Sequence, residues 1–184
     1  MKSTIRGAVL GLAIVLVAQA AHAQAMSFGF GGGVVVPTGT LSDGNSTGYS
    51  GSALVRVQPP ASPVGFQVDA FYTRFGLEGV DGHSRMIGGT ANAVFAFPGA
   101  SMARPYLIGG LGLYNGKTTI DGLGSSEAQT KFGINAGAGF DFGLGKTKLF
   151  AEGRFHAIMK GVTDGTTGDE KTAYMIPLTV GVRF

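Results

Sequence analysis

Cysteine is absent from this chain of 184 residues, and its absence excludes several kinds of protein. Disulfide frameworks, thiolate metal sites, catalytic cysteines and lipidated amino-terminal cysteines all require it. Charged residues are also scarce, at 14%. Lys and Arg form neither a run nor a stripe interleaved with aromatic residues, so the sequence gives no support for nucleic-acid binding.

Long hydrophobic runs are missing as well, with one short exception near the start. The apolar residues 8–18 follow Lys2 and Arg6 and precede an Ala-X-Ala motif that ends at Ala23. This order is typical of a secretory signal peptide, and the run is shorter than the roughly 20 apolar residues of a spanning helix. We therefore predict that residues 1–23 are a cleaved signal peptide.

The remaining residues, 24–184, are predicted to form one domain, although cleavage after Ala25 also fits the signal pattern. Loss of residues 1–23 leaves twelve Lys and Arg against eleven Asp and Glu, so the domain is nearly neutral. No later stretch is long and apolar enough for a membrane helix. Membrane insertion of this domain would therefore have to use strands.

Glycine is abundant, at 33 residues, and it is interspersed with aromatic and β-branched residues instead of forming linkers. Apolar and polar residues alternate in eight runs, which is the period of a strand with unlike faces. The runs predict eight strands, an even number that brings both ends of a closed sheet to the same side. They cover residues 27–36, 49–57, 64–73, 85–97, 106–115, 130–142, 148–159 and 172–184.

The connections between these runs alternate in length. Four are long and polar, namely 38–48, 74–84, 116–129 and 160–171, whereas 58–63, 98–104 and 143–147 are short and mostly rich in Pro or Gly. All long connections thus lie at one end of the sheet. Short periplasmic turns opposite longer outer loops are typical of transmembrane β-barrels. We predict an all-β fold, an eight-stranded antiparallel up-and-down transmembrane β-barrel.

The alternation alone does not decide which face points outward, and a soluble lipid-binding barrel with its apolar face inward is the alternative. Tyr106 and Tyr114 share a face eight residues apart, as do Phe132 and Phe140. This spacing corresponds to about 20 Å of height in a tilted strand. It suits two aromatic girdles that bracket a lipid-facing apolar band.

The opposite face carries the charged residues of the strands. A basic residue facing hydrocarbon at mid-membrane costs about 2–4 kcal/mol, so we expect these side chains to line the lumen. Ion pairing would then satisfy them and plug the barrel, and a narrow path for water or small ions is the alternative. The predicted network consists of Arg56, Asp69, Asp141, Glu152, Arg154, His156 and Arg183.

The final run alternates cleanly up to its aromatic last residue, Phe184. This ending resembles the carboxy-terminal assembly signal of outer-membrane barrels. Other stretches, among them Phe28-Gly29-Phe30 and residues 37–39, 104–112 and 131–139, resemble the small outer-membrane β-barrel family that includes the OmpA transmembrane domain and OmpX. The resemblance implies an outer-membrane location, with the barrel-assembly machinery and periplasmic chaperones as partners. We also expect contact with outer-membrane lipid and lipopolysaccharide, and a monomer.

Enzymatic motifs are weak. The Gly-rich stretch 137–143 lies within a predicted strand, with no helix after it to bind a phosphate. His156 has no nearby Ser in the sequence to act as a nucleophile. We expect neither a cofactor nor a metal and no enzymatic activity. The predicted role is that of a structural or surface-exposed barrel with a plugged lumen, ahead of a low-conductance pore, a lipid-modifying enzyme and a soluble lipid carrier.

Overall fold

The computed structural model describes residues 26–60, 62–79, 81–98, 102–122, 124–163 and 170–184. Within these ranges the chain forms nine strands and a short 3-10 turn, Gly39–Leu41. The strands are β1 (Met26–Thr38), β2 (Gly48–Val57), β3 (Val64–Gly76), β4 (Gly82–Ala96), β5 (Ala103–Ile120), β6 (Gly124–Ser125), β7 (Gln129–Leu144), β8 (Thr147–Thr163) and β9 (Glu170–Arg183).

The eight long strands form a closed antiparallel ring. Each pairs with the next long strand along the chain, and β1 pairs with β9, with Gly29 opposite Arg183 and Thr38 opposite Tyr174. Closure leaves no long strand with an unpaired edge. The prediction of an eight-stranded antiparallel up-and-down barrel is confirmed.

The strands extend further at the long-loop end than the sequence predicts. β5 continues to Ile120 and there pairs with the two-residue strand β6, and β8 continues to Thr163 after a bulge between Ile158 and Val162. These extensions lie in residues predicted as loops because their apolar alternation is weak. Backbone pairing in a hairpin does not require an apolar face where water bathes both sides.

The opposite end has tight connections. β7 and β8 are joined by the two residues Gly145 and Lys146, with Leu144 paired to Thr147. Gly145 has a φ of 65°, the left-handed conformation that such hairpin turns require and that glycine adopts without strain. We call this the inner end of the barrel and the end with the long loops the outer end.

The outer surface is apolar in its middle, as predicted. Phe132 and Phe140 are 44% and 49% exposed and point away from the lumen. The prediction for the two tyrosines is wrong, because Tyr106 and Tyr114 are only 1% exposed and point inward. Both faces of β5 are apolar, so the alternation of its residues does not indicate which face points into the lumen.

The predicted signal peptide, residues 1–23, lies outside the described residues. In the part of the chain that the structure describes, no helix is long and apolar enough to cross a membrane.

Candidate functional site

The seven residues of the predicted network all lie inside the barrel. Six of them are at most 9% exposed, and the Glu152 side chain is 6% exposed. They come from five strands, and alternation along each strand directs their side chains inward. The set is Arg56, Asp69, Asp141, Glu152, Arg154, His156 and Arg183.

Arg154 is the centre of one group of contacts, which we call the central cluster: Asp69, Thr90, Asn92, Glu152 and Arg154. The two terminal nitrogens of Arg154 donate to the two carboxylate oxygens of Asp69, each at 3.0 Å. Its Nε donates to Glu152 Oε1 at 2.5 Å. A planar guanidinium that binds one carboxylate with two parallel bonds is the strongest ion-pair geometry of proteins.

The Asp69 carboxylate receives three further hydrogen bonds. Gln67 donates at 2.7 Å, Thr90 at 3.0 Å and Asn92 at 2.7 Å. A buried carboxylate is tolerated only when such donors replace its water. The central cluster therefore satisfies Asp69 fully, although it holds two carboxylates and a single guanidinium.

A second group, the inner cluster, lies nearer the inner end and consists of Arg56, Tyr106, Asp141 and Arg183. Arg56 donates to Gln67 at 2.6 Å and to Asp141 at 3.4 Å, and its guanidinium stacks 4.3 Å from the centre of the Tyr106 ring. Arg183 forms an ion pair with the other oxygen of Asp141. Two guanidinium groups thus share one carboxylate here.

Two tyrosine hydroxyls form hydrogen bonds with side chains of β8. Tyr106 donates to Glu152 at 2.8 Å, and so joins the inner cluster to the central one. The Tyr114 hydroxyl lies 2.8 Å from His156 Nδ1, and both rings pack against Phe71. His156 is therefore held by aromatic contacts, and no hydrogen bond joins it to a carboxylate within the part of the chain that the structure describes.

The tyrosine rings fit because glycines face them. A Cβ at Gly139 would lie 2.5 Å from the Tyr106 ring, and a Cβ at Gly133 would lie 2.8 Å from that of Tyr114. These strand glycines provide room inside a barrel whose eight strands leave space for side chains only.

Between the central cluster and the outer end, the lumen is lined mainly by apolar side chains. Leu41 of the 3-10 turn folds into the mouth of the barrel, where it is 8% exposed. It packs there in an apolar cluster, which was not predicted from the sequence. The cluster also contains Val35, Phe75, Tyr114, Ile158, Ala173 and Met175.

Cavities lie at three levels of the lumen. An outer cavity of about 350 Å³ lies among Tyr114, Ile158 and the outer strand ends, and an inner cavity of about 620 Å³ lies below Arg56 and Arg183. Between them, beside Arg154 and His156, the cavity measures only about 40 Å³. That volume corresponds to one or two water molecules.

Two ion pairs cross the lumen. One connects β2 with β7, and the other connects β3 with β8. In the closed ring three strands separate β2 from β7 on either side, and the same holds for β3 and β8. Arg56–Asp141 and Asp69–Arg154 therefore connect diametrically opposite walls. Asp69 and Arg154 line the cavity of about 40 Å³, which we call the constriction, whereas Arg56 and Asp141 line the inner cavity.

Some members of this arrangement were not predicted from the sequence. Thr90, Tyr106 and Tyr114 contribute hydrogen bonds to it, and the only sequence signal for them is their alternation with outward apolar residues. Asn135 is buried in the lumen, and its side-chain amide has no hydrogen-bond partner among the described residues. Those residues contain no group of His, Asp and Glu placed to hold a metal ion.

Phe184 lies apart from the lumen. Its side chain is 62% exposed, and its backbone exchanges hydrogen bonds of 2.8 and 3.1 Å with Phe28. It therefore continues the β1–β9 seam by one residue and presents its ring to the outside.

A closed eight-stranded barrel with an apolar exterior and a charged interior defines a β-barrel protein of the outer-membrane type. Residues 8–184 match the family model described as the outer membrane protein beta-barrel domain, and the chain belongs to that family. Its location is accordingly the outer membrane.

Solved structures share this fold. The chain is similar to Neisserial surface protein A (NspA), with 22% identity over 86% of this chain and 95% of that one and a TM-score of 0.67. It is also similar to a major outer membrane protein from Thermus thermophilus, with 8% identity over 88% and 99% of the two chains and a TM-score of 0.53. The search of curated proteins found no match.

Proposed function

We propose that this protein is a structural, surface-exposed component of the outer membrane with a lumen closed to ions. The observation that carries the proposal is the constriction of about 40 Å³ between cavities of about 350 and 620 Å³. The Asp69–Arg154 ion pair joins opposite walls at the constriction, and the Arg56–Asp141 pair crosses the lumen beside the inner cavity. A paired network of this kind resists opening because each separated charge would be left buried.

Conductance in planar bilayers tests this function. The wild-type protein should give current near background. In the double variant Asp69→Ala/Arg154→Ala, both partners of one crossing are removed, and no charge of that pair remains. We expect channel openings from this variant, because removal of the two side chains would widen the 40 Å³ cavity until it joins the larger cavities on either side.

The matched control is Arg74→Ala/Glu78→Ala, which removes one exposed residue of each sign near the outer end of β3 and keeps the net charge equal to that of the double variant. It should remain closed. Openings in the control as well would show that loss of charge alone loosens the barrel. A closed double variant would contradict the role of the Asp69–Arg154 pair.

A narrow pore for water or small ions is the second candidate. Larger cavities lie on either side of the constriction, and a pore would form if side-chain movements at the constriction connected them. A steady, ion-selective current from the wild-type protein would favour this function over the closed barrel, with Arg154 as the residue whose substitution should alter the selectivity.

We do not propose an enzyme. His156 Nδ1 is engaged by the Tyr114 hydroxyl, and the cavity beside it is far below the roughly 300 Å³ at which small-molecule sites begin. The proposed partners are outer-membrane lipid and lipopolysaccharide around the apolar exterior, and the barrel-assembly machinery at the strand that ends in Phe184. We propose a monomer that binds no nucleic acid.

A further inference from the structure

The cavity at the inner end, which we call the inner vestibule, is strongly basic. Its walls carry Arg56, Arg104, Lys148 and Arg183, and among the described residues Asp141 is the only acidic one that lines it. The central cluster above has one surplus negative charge, since Arg154 faces both Asp69 and Glu152. This charge offsets the surplus of the inner cluster, and the formal charges of Arg104 and Lys148 add to the sum.

Two of these cations are placed side by side. Lys148 on β8 pairs in register with Arg183 on β9, and alternation directs both side chains inward. Like charges at directly opposed positions of a sheet are destabilising. Asp141, which already bridges Arg56 and Arg183, is too heavily shared to neutralise Lys148 as well.

Arg183 also has an unused donor. The residue is only 3% exposed, lines the vestibule, and its Nε has no hydrogen-bond partner among the described residues. A buried guanidinium nitrogen without an acceptor is costly. An anion in the vestibule would supply both the acceptor and the missing negative charge.

The walls of the vestibule favour a preformed site. Its rim contains Pro59, Pro60, Pro63 and Pro98, whose rings fix the backbone φ angle. Ser27 and Ser62 place hydroxyl groups among the lining residues. Little conformational freedom would be lost when a ligand enters such a rim.

We propose that the inner vestibule binds a phosphate group. Phosphate offers several oxygens at a charge of between one and two at neutral pH, which matches two guanidinium groups and an ammonium group better than a single carboxylate does. The group comes either from a soluble phosphate compound or from a lipid headgroup of the inner leaflet, since both reach this end of the barrel.

The test is titration of inorganic phosphate into the protein in nanodiscs of zwitterionic lipid, followed by isothermal calorimetry. Lys148→Gln should weaken phosphate binding about fivefold or more, because one charge-assisted contact is lost from an exposed side chain whose removal does not unpair a buried group. The control Lys146→Gln removes the same charge from the neighbouring turn, outside the vestibule lining, and should change binding less than twofold.

Saturable binding by wild type that is weakened by Lys148→Gln and retained by Lys146→Gln supports the site. Absence of saturable phosphate binding by wild type, or equal weakening by the two variants, overturns it. Native mass spectrometry of the protein released from mixed-lipid membranes then distinguishes the two sources of the phosphate group. Retention of phosphatidylglycerol by wild type but not by Lys148→Gln identifies a headgroup, and equal retention by both identifies a soluble compound.

Discussion

Arg154 binds Asp69 across the full width of the lumen, with two hydrogen bonds of 3.0 Å. The two residues stand on strands with three others between them on either side of the ring. A side-chain pair therefore joins opposite walls of the barrel in a region where no backbone hydrogen bond can do so. Its loss should affect both the stability and the permeability of the barrel.

Arg154→Ala should lower the free energy of unfolding by about 3 kcal/mol or more, because Asp69 and Glu152 would remain buried without their cation. Urea unfolding from phospholipid vesicles, followed by heat-modifiable migration, measures the change. The control Arg74→Ala removes an exposed arginine and should change the stability by less than about 0.5 kcal/mol.

The double variant Asp69→Ala/Arg154→Ala should lose less free energy of unfolding than the two single variants lose in sum. Asp69→Ala removes the buried carboxylate that Arg154→Ala leaves unpaired, and coupled neighbours typically deviate from additivity by about 0.5–3 kcal/mol. Strict additivity in a double-mutant cycle would show that the two residues contribute independently.

Tyr106→Phe tests the link between the inner and central clusters. The variant keeps the ring under Arg56 but removes the hydroxyl that donates to Glu152 at 2.8 Å. We expect a loss of about 1–3 kcal/mol, since a buried carboxylate oxygen loses its donor. Tyr49→Phe removes a hydroxyl from a side chain that is 56% exposed and should leave the unfolding midpoint unchanged.

Gly139→Ala tests the fit between β7 and Tyr106. The new Cβ would lie 2.5 Å from Cζ and the hydroxyl oxygen of Tyr106 and 2.6 Å from the backbone oxygen of Ala151, so both the ring and the neighbouring β8 backbone must move. Overpacking of this kind costs about 1–3 kcal/mol. Gly143→Ala on the same face of β7 meets nothing within 4 Å. If both alanines had equal effects in unfolding experiments, strand propensity and not close packing at Gly139 would be responsible.

Ala136→Arg tests which surface faces lipid. Ala136 is exposed and lies midway between Phe132 and Phe140 on the outer face of β7. An arginine there should cost about 2–4 kcal/mol in vesicles, and Leu144→Arg at the inner end of the same face about 0–1 kcal/mol. Equal costs at the two depths would contradict an apolar band centred on Ala136.

Strand number, pairing and the inward direction of most charges could be predicted because period-2 alternation and loop lengths are local properties of the sequence. On β8, for example, Glu152, Arg154 and His156 share a face by spacing alone. The direction of β5 could not be predicted in the same way. Its inward set, Tyr106 to Tyr114, is as apolar as its outward leucines.

The partners of each charge were also beyond the sequence. Nothing local distinguishes Asp69 from Asp141 as the partner of Arg154, because the choice depends on the stagger of eight strands around the ring. Likewise, Leu41 belongs to a polar loop by sequence, yet the 3-10 turn at Gly39–Leu41 places it in the barrel mouth. Contacts of this kind depend on closure of the whole sheet.

The order of events during folding follows from the two ion pairs that cross the lumen. Arg56 and Asp141 are 85 positions apart, and so are Asp69 and Arg154. Neither pair can form from neighbouring hairpins; each requires strands from both halves of the chain to face one another. We infer that all four charges keep their water until then. We therefore expect dehydration of the interior to be a late step that accompanies closure of the β1–β9 seam, so that a barrel with an open seam keeps a hydrated core.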